Sequence, residues 1–218
     1  MVRLVYRGEG LDLNPSKIIC LLRSYAAHAK EMNNHIPTRP RFFLKPPSSL
    51  LQNGGIVRIP EGSGNVHHEV ELAVLMGKGG SKIPEDHAMD HVMGYFVMLD
   101  ITARDIQQEA KEKGLPWSEA KGYDTFAPVG PILMSRDEFD WKGKEIWLEV
   151  NGQMKQSSNT DLLLWPVSKI ISDISRVMKL EKGDIIMTGT PEGVGPLFHG
   201  DSVRAGIDGL GVLEVTVE

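Results

Sequence analysis

Apolar residues along this 218-residue chain come in short runs that alternate with polar ones, interrupted every few positions by glycine or proline. Side chains on a strand change face at every residue, so this pattern predicts strands over residues 17–22, 41–45, 55–59, 93–101, 145–150 and 184–188, and through the final run 202–217. The clearest alternation sets Val70, Leu72, Val74 and Met76 on one face and Glu69 and Glu71 on the other. Asn151-Gly152 after the alternating Ile146, Leu148 and Val150 is a type I′ hairpin signal. Three segments read as helices instead. One runs over 24–33 with Ser24 as N-cap, and one runs to Lys113 from a capping box begun by Thr102. The third starts at Pro166, with Val167, Ile170, Ile171, Ile174 and Met178 on a core face. Residues 1–16, with a strand over 2–6, are expected to be a short, loosely attached leader to one domain over 17–218. The sum is an α+β fold dominated by mixed, curled sheets with a few helices, not an alternating βαβ array.

Composition narrows the function classes. With 41% apolar and 24% charged residues the chain can bury a core and still hold a pocket. A formal net charge of −5 and no cluster of Lys and Arg argue against nucleic acid as a partner. Cys20 is the single cysteine and lies in an apolar run, which excludes an internal disulfide or thiolate cluster and makes it a core thiol. No uncharged run approaches the ~18 residues of a membrane span, and no apolar signal core precedes Lys17, so a cytoplasmic location is expected and no membrane partner.

Several polar residues invite chemistry. Glu69 and Glu71 on one strand face repel unless a proton, solvent or a cation intervenes, and a hard divalent ion is the usual remedy. Asp100 closes the buried run 93–101 and either caps the following helix or joins the two glutamates. Three carboxylates with no histidine or thiolate suit Mg²⁺, Mn²⁺ or Ca²⁺ and argue against zinc or copper. Arg104 and Gln107 share one face near a helix start, fit to bind an anion or simply to be solvated. His28 and Glu31 at i, i+3 make either a general base with its orienting carboxylate or a surface pair. Lys121, in a loop after Trp117, has the setting of a solvent-exposed lysine. The loop 189–195 is rich in glycine but lacks the Lys-Ser/Thr ending and the following helix of a phosphate loop, leaving backbone N–H groups and Thr190 as a carboxylate cradle.

The segments YAAHAKEM, FFLKPPSS, HHEVELAVLMG, GYFVMLDITARDIQ, GLPWSEAKGYDTFAPVGP, VNGQ and GDIIMTGTPEGVGP, in this order and spacing, resemble the fumarylacetoacetate hydrolase family from about Ile18 onward. The likeness is strongest to its small members that act on 2-oxo acids as acylpyruvate hydrolases or oxaloacetate decarboxylases. Other members are isomerases of hydroxymuconate-type compounds. The resemblance implies a mixed β-roll, usually a homodimer. It also implies Mg²⁺ or Mn²⁺ on Glu69, Glu71 and Asp100, with Ca²⁺, which the all-carboxylate donor set also suits, as an alternative occupant. By the same carry-over, His28 with Glu31 is a dyad that handles water, and Arg104, Gln107 and Lys121 meet substrate oxygens. Thr190 and Lys45 meet the substrate carboxylate.

Charge counting agrees with that assignment. Three carboxylates and one divalent ion leave a negative site, and a 2-oxo acid adds to it, so Arg104 and Lys121 are needed, with Lys45 and Arg23 in reserve. The expected chemistry is C–C cleavage by hydrolysis or decarboxylation through an enolate, with the metal as electron sink; the alternatives are an isomerase or tautomerase, or a non-enzymatic binding protein stabilised by metal. One departure from the family pattern stands out. Where members read GRNY, this chain reads Leu22-Arg23-Ser24-Tyr25, so a side chain at Leu22 narrows the approach and an amide donor is lost at Ser24. A lid is expected between residues 33 and 41 or around Gly114.

Overall fold

The computed structural model describes residues 2–32 and 35–218. Asn33, the last position of the first expected helix and the start of one expected lid segment, lies outside them. Two sheets carry most of the strand residues. The larger has eight strands in the order Glu9–Leu13, Val2–Tyr6, Ile132–Ser135, Val92–Leu99, Val70–Met76, Ile185–Met187, Ile18–Leu21, Phe42–Lys45. Val2–Tyr6 runs parallel to Ile132–Ser135, and Ile185–Met187 parallel to Ile18–Leu21, while the other pairs are antiparallel. A five-stranded sheet of Gln153–Asn159, Glu145–Val150, Ser202–Ile207, Val212–Val217 and Ile56–Val57 packs across it. These are the mixed, curled sheets that the sequence pattern implies, arranged as the mixed β-roll that the resemblance implies.

The central strand Val70–Met76 shows why the layers assemble this way. All seven of its residues are buried, because both faces of the large sheet are covered. Val70, Leu72, Val74 and Met76 enter the main core with Val97, Leu148, Val203 and Val215, and with Ile170, Ile171 and Ile174 of the last α-helix, α4 (Val167–Val177). Ala73 and Leu75 point the other way, into a second core with Ile18, Cys20, Phe96, Met98 and Met187. Period two thus feeds two cores from one strand. At the same parity as Ala73 and Leu75, Glu71 faces the second-core side, and this is what brings it to the site.

Three other helices precede that one: α1 (Ala26–Glu31), α2 (Arg104–Lys113) and α3 (Ser118–Lys121). Gly114 ends α2 in the left-handed conformation at φ 65°, a usual helix stop. Asn151 and Gly152, at φ 52° and 74°, make the expected hairpin turn.

Several expectations are corrected by tertiary contacts. The first residues are no loose leader: Val2–Tyr6 and Glu9–Leu13 form a hairpin that extends the large sheet and closes the second core with Val2, Leu4 and Leu13. Ser24 does not cap α1, whose N-cap is Tyr25 without a side-chain bond; the Ser24 hydroxyl instead donates to the Thr188 carbonyl. Thr102 does not cap α2 either. It pairs in a short strand with His67 and donates to the Asp100 carbonyl, while Asp105 anchors the start of α2 by accepting from Ser63 Oγ and Gly64 N. Of the run 55–59 only Ile56–Val57 is a strand, and the strand Gly195–Leu197 was not foreseen.

Candidate active site

The site begins with strand register. Val70 lies opposite Leu99 and Glu71 opposite Met98, and the Asp100 N–H donates to the Glu69 carbonyl at 2.8 Å. Two neighbouring strands therefore end side by side with Glu69, Glu71 and Asp100 turned to one face. All three are buried, and one oxygen from each lies within 4.8 Å of the others. Oxygens that share one Mg²⁺ or Mn²⁺ stand from ~3 Å apart when adjacent to ~4 Å when opposed, so these three would draw together on binding one hard cation. Their hydrogen bonding leaves room for it. Asp100 Oδ1 accepts no hydrogen bond, and Glu71 accepts one, from Gly189 N at 2.6 Å. An all-oxygen set with unused lone pairs, deep in the protein, fits a divalent cation.

Protonation tells the same story. Burial pushes the Glu71 carboxyl well above the usual range, and Asp100 and Glu69 push it further. Burial also raises Glu69, but Lys121, Arg104 and His28 together outweigh that and hold it well below the ordinary value. One acid of the pair is thus left wanting a positive charge.

Three cations surround the acids. Arg104 Nη2 donates to Glu69 Oε1, and Arg104 Nη1 to Gln107 Oε1 at 2.8 Å, so the expected shared face of α2 is formed. Lys121 is not in a solvent-exposed loop. It ends the one-turn α3, is buried, and donates to Asp100 Oδ2 at 2.6 Å and Glu69 Oε2 at 3.0 Å. Burial lowers the Lys121 pKa, yet Asp100 and Glu69 reverse this and raise it, keeping the ammonium charged.

Lys45 is a correction. It was expected to meet the substrate carboxylate, but its ammonium donates to the carbonyls of Lys121 at 2.6 Å, Phe126 at 2.9 Å and Ile101 at 3.0 Å. An ammonium has three protons, and all are used. Asp100 Oδ1, 2.9 Å away, receives its charge without a hydrogen bond. Lys45 does not line the pocket; it braces α3 and Asp100 from behind.

The mouth of the pocket is formed by α1 and by the loop after Ile185–Met187. His28, largely buried, faces the pocket, and its Nδ1 lies 3.3 Å from Glu31 Oε2. That contact leaves Nε2 for the pocket. Glu31 also accepts from Gly193 N at 3.1 Å. The glycine loop thus grips one acid at each end, Glu71 through Gly189 and Glu31 through Gly193, which is a different use of its N–H groups from cradling a ligand. Gly189, at φ 95°, cannot carry a side chain, because a Cβ there would meet Ser24 Oγ.

Thr190 does line the pocket, with Arg23 and Leu22. Its Oγ1 accepts from Gln156 Nε2 at 2.8 Å, so its own proton is free to be donated forward. Gln156 is buried, and its Oε1 accepts from Val70 N at 3.1 Å and meets His68 Nδ1 at 3.2 Å. Burial lowers the pKa of His68, with Gln156 opposing, so the imidazole is held neutral behind the loop. Sequence reading missed Gln156, since a polar residue in a hairpin strand carries no signal of burial. It also missed Lys111, Phe43 and Trp117, which line the pocket. For Lys111 a signal existed: it follows Arg104 and Gln107 at i+7 and i+4 on the same face of α2.

Fold and site together define a class. The fumarylacetoacetate (FAA) hydrolase C-terminal family matches residues 17–218, and the chain belongs to the fumarylacetoacetate hydrolase family, with a buried acidic site suited to a divalent metal. Particular relatives sharpen the comparison. Oxaloacetate tautomerase FAHD1, mitochondrial, of Arabidopsis thaliana is 48% identical over 203 residues, 93% of this chain and 91% of that protein. Oxaloacetate decarboxylase, mitochondrial, of Dictyostelium discoideum is 49% identical over 195 residues, 89% of either chain. The crystal structure of fumarylpyruvate hydrolase from Pseudomonas aeruginosa in complex with Mn²⁺ and pyruvate superposes with a TM-score of 0.93 at 39% identity, covering 99% of this chain and 95% of that one.

Proposed function

We propose that this protein is a divalent-metal-dependent enzyme that enolises dianionic 2-oxo acids of the oxaloacetate class, with tautomerisation or decarboxylation as the outcome. The carrying observation is the charge pattern of the site: Lys45, Arg104 and Lys121 pair with Glu69 and Asp100 and equal in number the three acids, with Glu71 left unpaired by any cation among the described residues. A Mg²⁺ or Mn²⁺ ion on the three acids would leave two positive charges uncompensated, and a 2-oxo dicarboxylate neutralises them. Relatives named for oxaloacetate activities, at 48% and 49% identity, support the same substrate class.

Glu69, Glu71 and Asp100 would hold the cation, which when bound would supply Lewis-acid polarisation of the 2-oxo carbonyl. The chain's own residues do the rest. Thr190, as a donor, and Arg104 with Gln107 orient the 1-carboxylate. Lys121, kept protonated between Glu69 and Asp100, adds positive charge where negative charge develops. His28 Nε2 takes or returns the proton at C3, with Glu31 holding the ring through Nδ1.

A second reading is acylpyruvate hydrolysis, favoured by the His28–Glu31 pair, which can equally draw a proton from water, and by the likeness to fumarylpyruvate hydrolase. Assays with Mg²⁺ on oxaloacetate, following both enol formation and loss of CO₂, and on acylpyruvates, following cleavage, separate the two. Chelator-sensitive turnover of oxaloacetate that is lost in His28→Asn is expected. Turnover of acylpyruvates alone would establish the second reading, and no chelator-sensitive turnover of either class would overturn both.

A further inference from the structure

Glu69 and Glu71 line the pocket with Arg104 and Lys121, which are paired with Glu69, whereas two further lining cations, Lys111 and Arg23, have no such partner among the described residues. Arg104, Gln107 and Lys111 occupy i, i+3 and i+7 on α2, so they share a face, and Lys111 stands roughly 10 Å along the axis from Arg104. All three line the pocket. Arg104 is engaged by Glu69, but among the described residues no carboxylate lies within ion-pair distance of Lys111 or of Arg23, which lines the pocket with it. Lys111 is half-buried, its ammonium 5.5 Å from the Trp117 ring centroid. Arg23 holds φ 56°, a left-handed backbone that is uncommon outside glycine and asparagine.

Holding cations together, partly buried and without counter-charge, is unfavourable unless something anionic visits. The cost is visible at Lys111. Burial lowers its pKa, and Arg104 and Arg23 lower it further, by more than Glu69 offsets. The site already accounts for one carboxylate of a substrate through Arg104, Gln107 and Thr190, so a ligand lying along α2 toward Lys111 would present its far end to these two cations.

We propose that Lys111, assisted by Arg23, is a specificity-determining residue that binds the second carboxylate of a dianionic 2-oxo acid and sets a preference for dicarboxylates over monocarboxylates. This rests on the reading of the site as a 2-oxo acid enzyme and adds to it the residue that selects the substrate's charge. Trp117 contributes by restricting the lysine stem, so the ammonium meets the pocket with less rotamer freedom to lose.

The test uses a matched pair, oxaloacetate and its 4-methyl ester, which differ by one charge at the far end. Metal-loaded enzyme is followed by exchange of the C3 hydrogens in D₂O, a readout open to both compounds. The wild type is expected to prefer the dianion, and Lys111→Met to lose at least ~10-fold of that preference, mostly through KM, as befits a charge-assisted hydrogen bond. Lys111→Arg is expected to restore it, and added salt to narrow the gap between wild type and Lys111→Met. An unchanged preference in a folded Lys111→Met, judged by its melting temperature, would overturn the role of Lys111 while leaving the enzymatic reading intact. Wild-type protein that exchanges neither compound would overturn that reading, and the subsite with it.

Discussion

Lys45 and Lys121 look alike in the sequence, one in FLKP and the other in EAKG, yet the fold gives them opposite duties. Three backbone carbonyls exhaust the protons of Lys45, while Lys121 spends its own on the carboxylates at the floor of the pocket. A carbonyl cage of residues 101, 121 and 126 has no local sequence signature, so the role of Lys45 was not legible, whereas Glu69 and Glu71 were, because period two alone puts them on one face. Lys45→Met removes one partner of a buried ion pair and is expected to cost ~3–5 kcal/mol, seen as a fall of about 10 °C or more in melting temperature. Glu71→Gln keeps the shape and removes the charge. Titration calorimetry with Mn²⁺ is expected to show a loss of affinity of two orders of magnitude or more, since even partners outside the ligand set commonly matter ~10–100-fold.

Among the elements, the loop from Gly189 to Gly195 does most to join the parts. Its N–H groups hold Glu71 and Glu31, and through Gln156 it sets the Thr190 hydroxyl. The sequence showed a glycine loop that is no phosphate binder, but not that its donors serve the protein's own acids. Helix faces were more legible: α4 buries Val167, Ile170, Ile171 and Ile174, and α2 aligns Arg104 with Gln107. Caps were less so: Ser24 gives its hydroxyl to a carbonyl across the fold, and Thr102 is drawn into a short strand against His67, tertiary choices that local propensity cannot show. Gly189→Ala combines a left-handed backbone with a clash on Ser24 Oγ. It is expected to cost ~1–3 kcal/mol in denaturant unfolding, and to weaken Mn²⁺ binding because the donor to Glu71 shifts.

At the scale of the whole molecule, the site hangs from a sheet buried on both sides, and the first hairpin completes that burial. Leu4, fully buried against the second core, is expected to cost ~2–5 kcal/mol on change to Ala, a result a loose leader would not give. Hydropathy made Val2–Tyr6 legible as a strand but could not show its parallel partner Ile132–Ser135, which is more than a hundred residues away.

Stability should also respond to pH through two buried acids of opposite sign. Burial raises Asp184, but Lys17, Ser16 and the Glu181 N–H outweigh this and hold it below the usual range. Its contribution is therefore present above the ordinary Asp value and is lost as pH falls through the lowered one. Glu71 is raised, so without metal its contribution is present at low pH and is lost as pH rises from the ordinary Glu range through the raised value. A cation replaces that proton. The rise in melting temperature caused by Mg²⁺ is thus expected to grow with pH across the same interval, and a Mg²⁺ effect independent of pH would contradict the assignment.

The central claim is that three buried carboxylates from two adjacent strands hold one hard cation for a 2-oxo acid. Anomalous diffraction from crystals soaked with Mn²⁺ and oxalate tests it most directly. The account requires one manganese peak bonded to Glu69, Glu71 and Asp100, with oxalate completing the coordination and Arg104, Gln107 or Thr190 on its oxygens. Manganese bound elsewhere, or oxalate bound without it, would contradict the account.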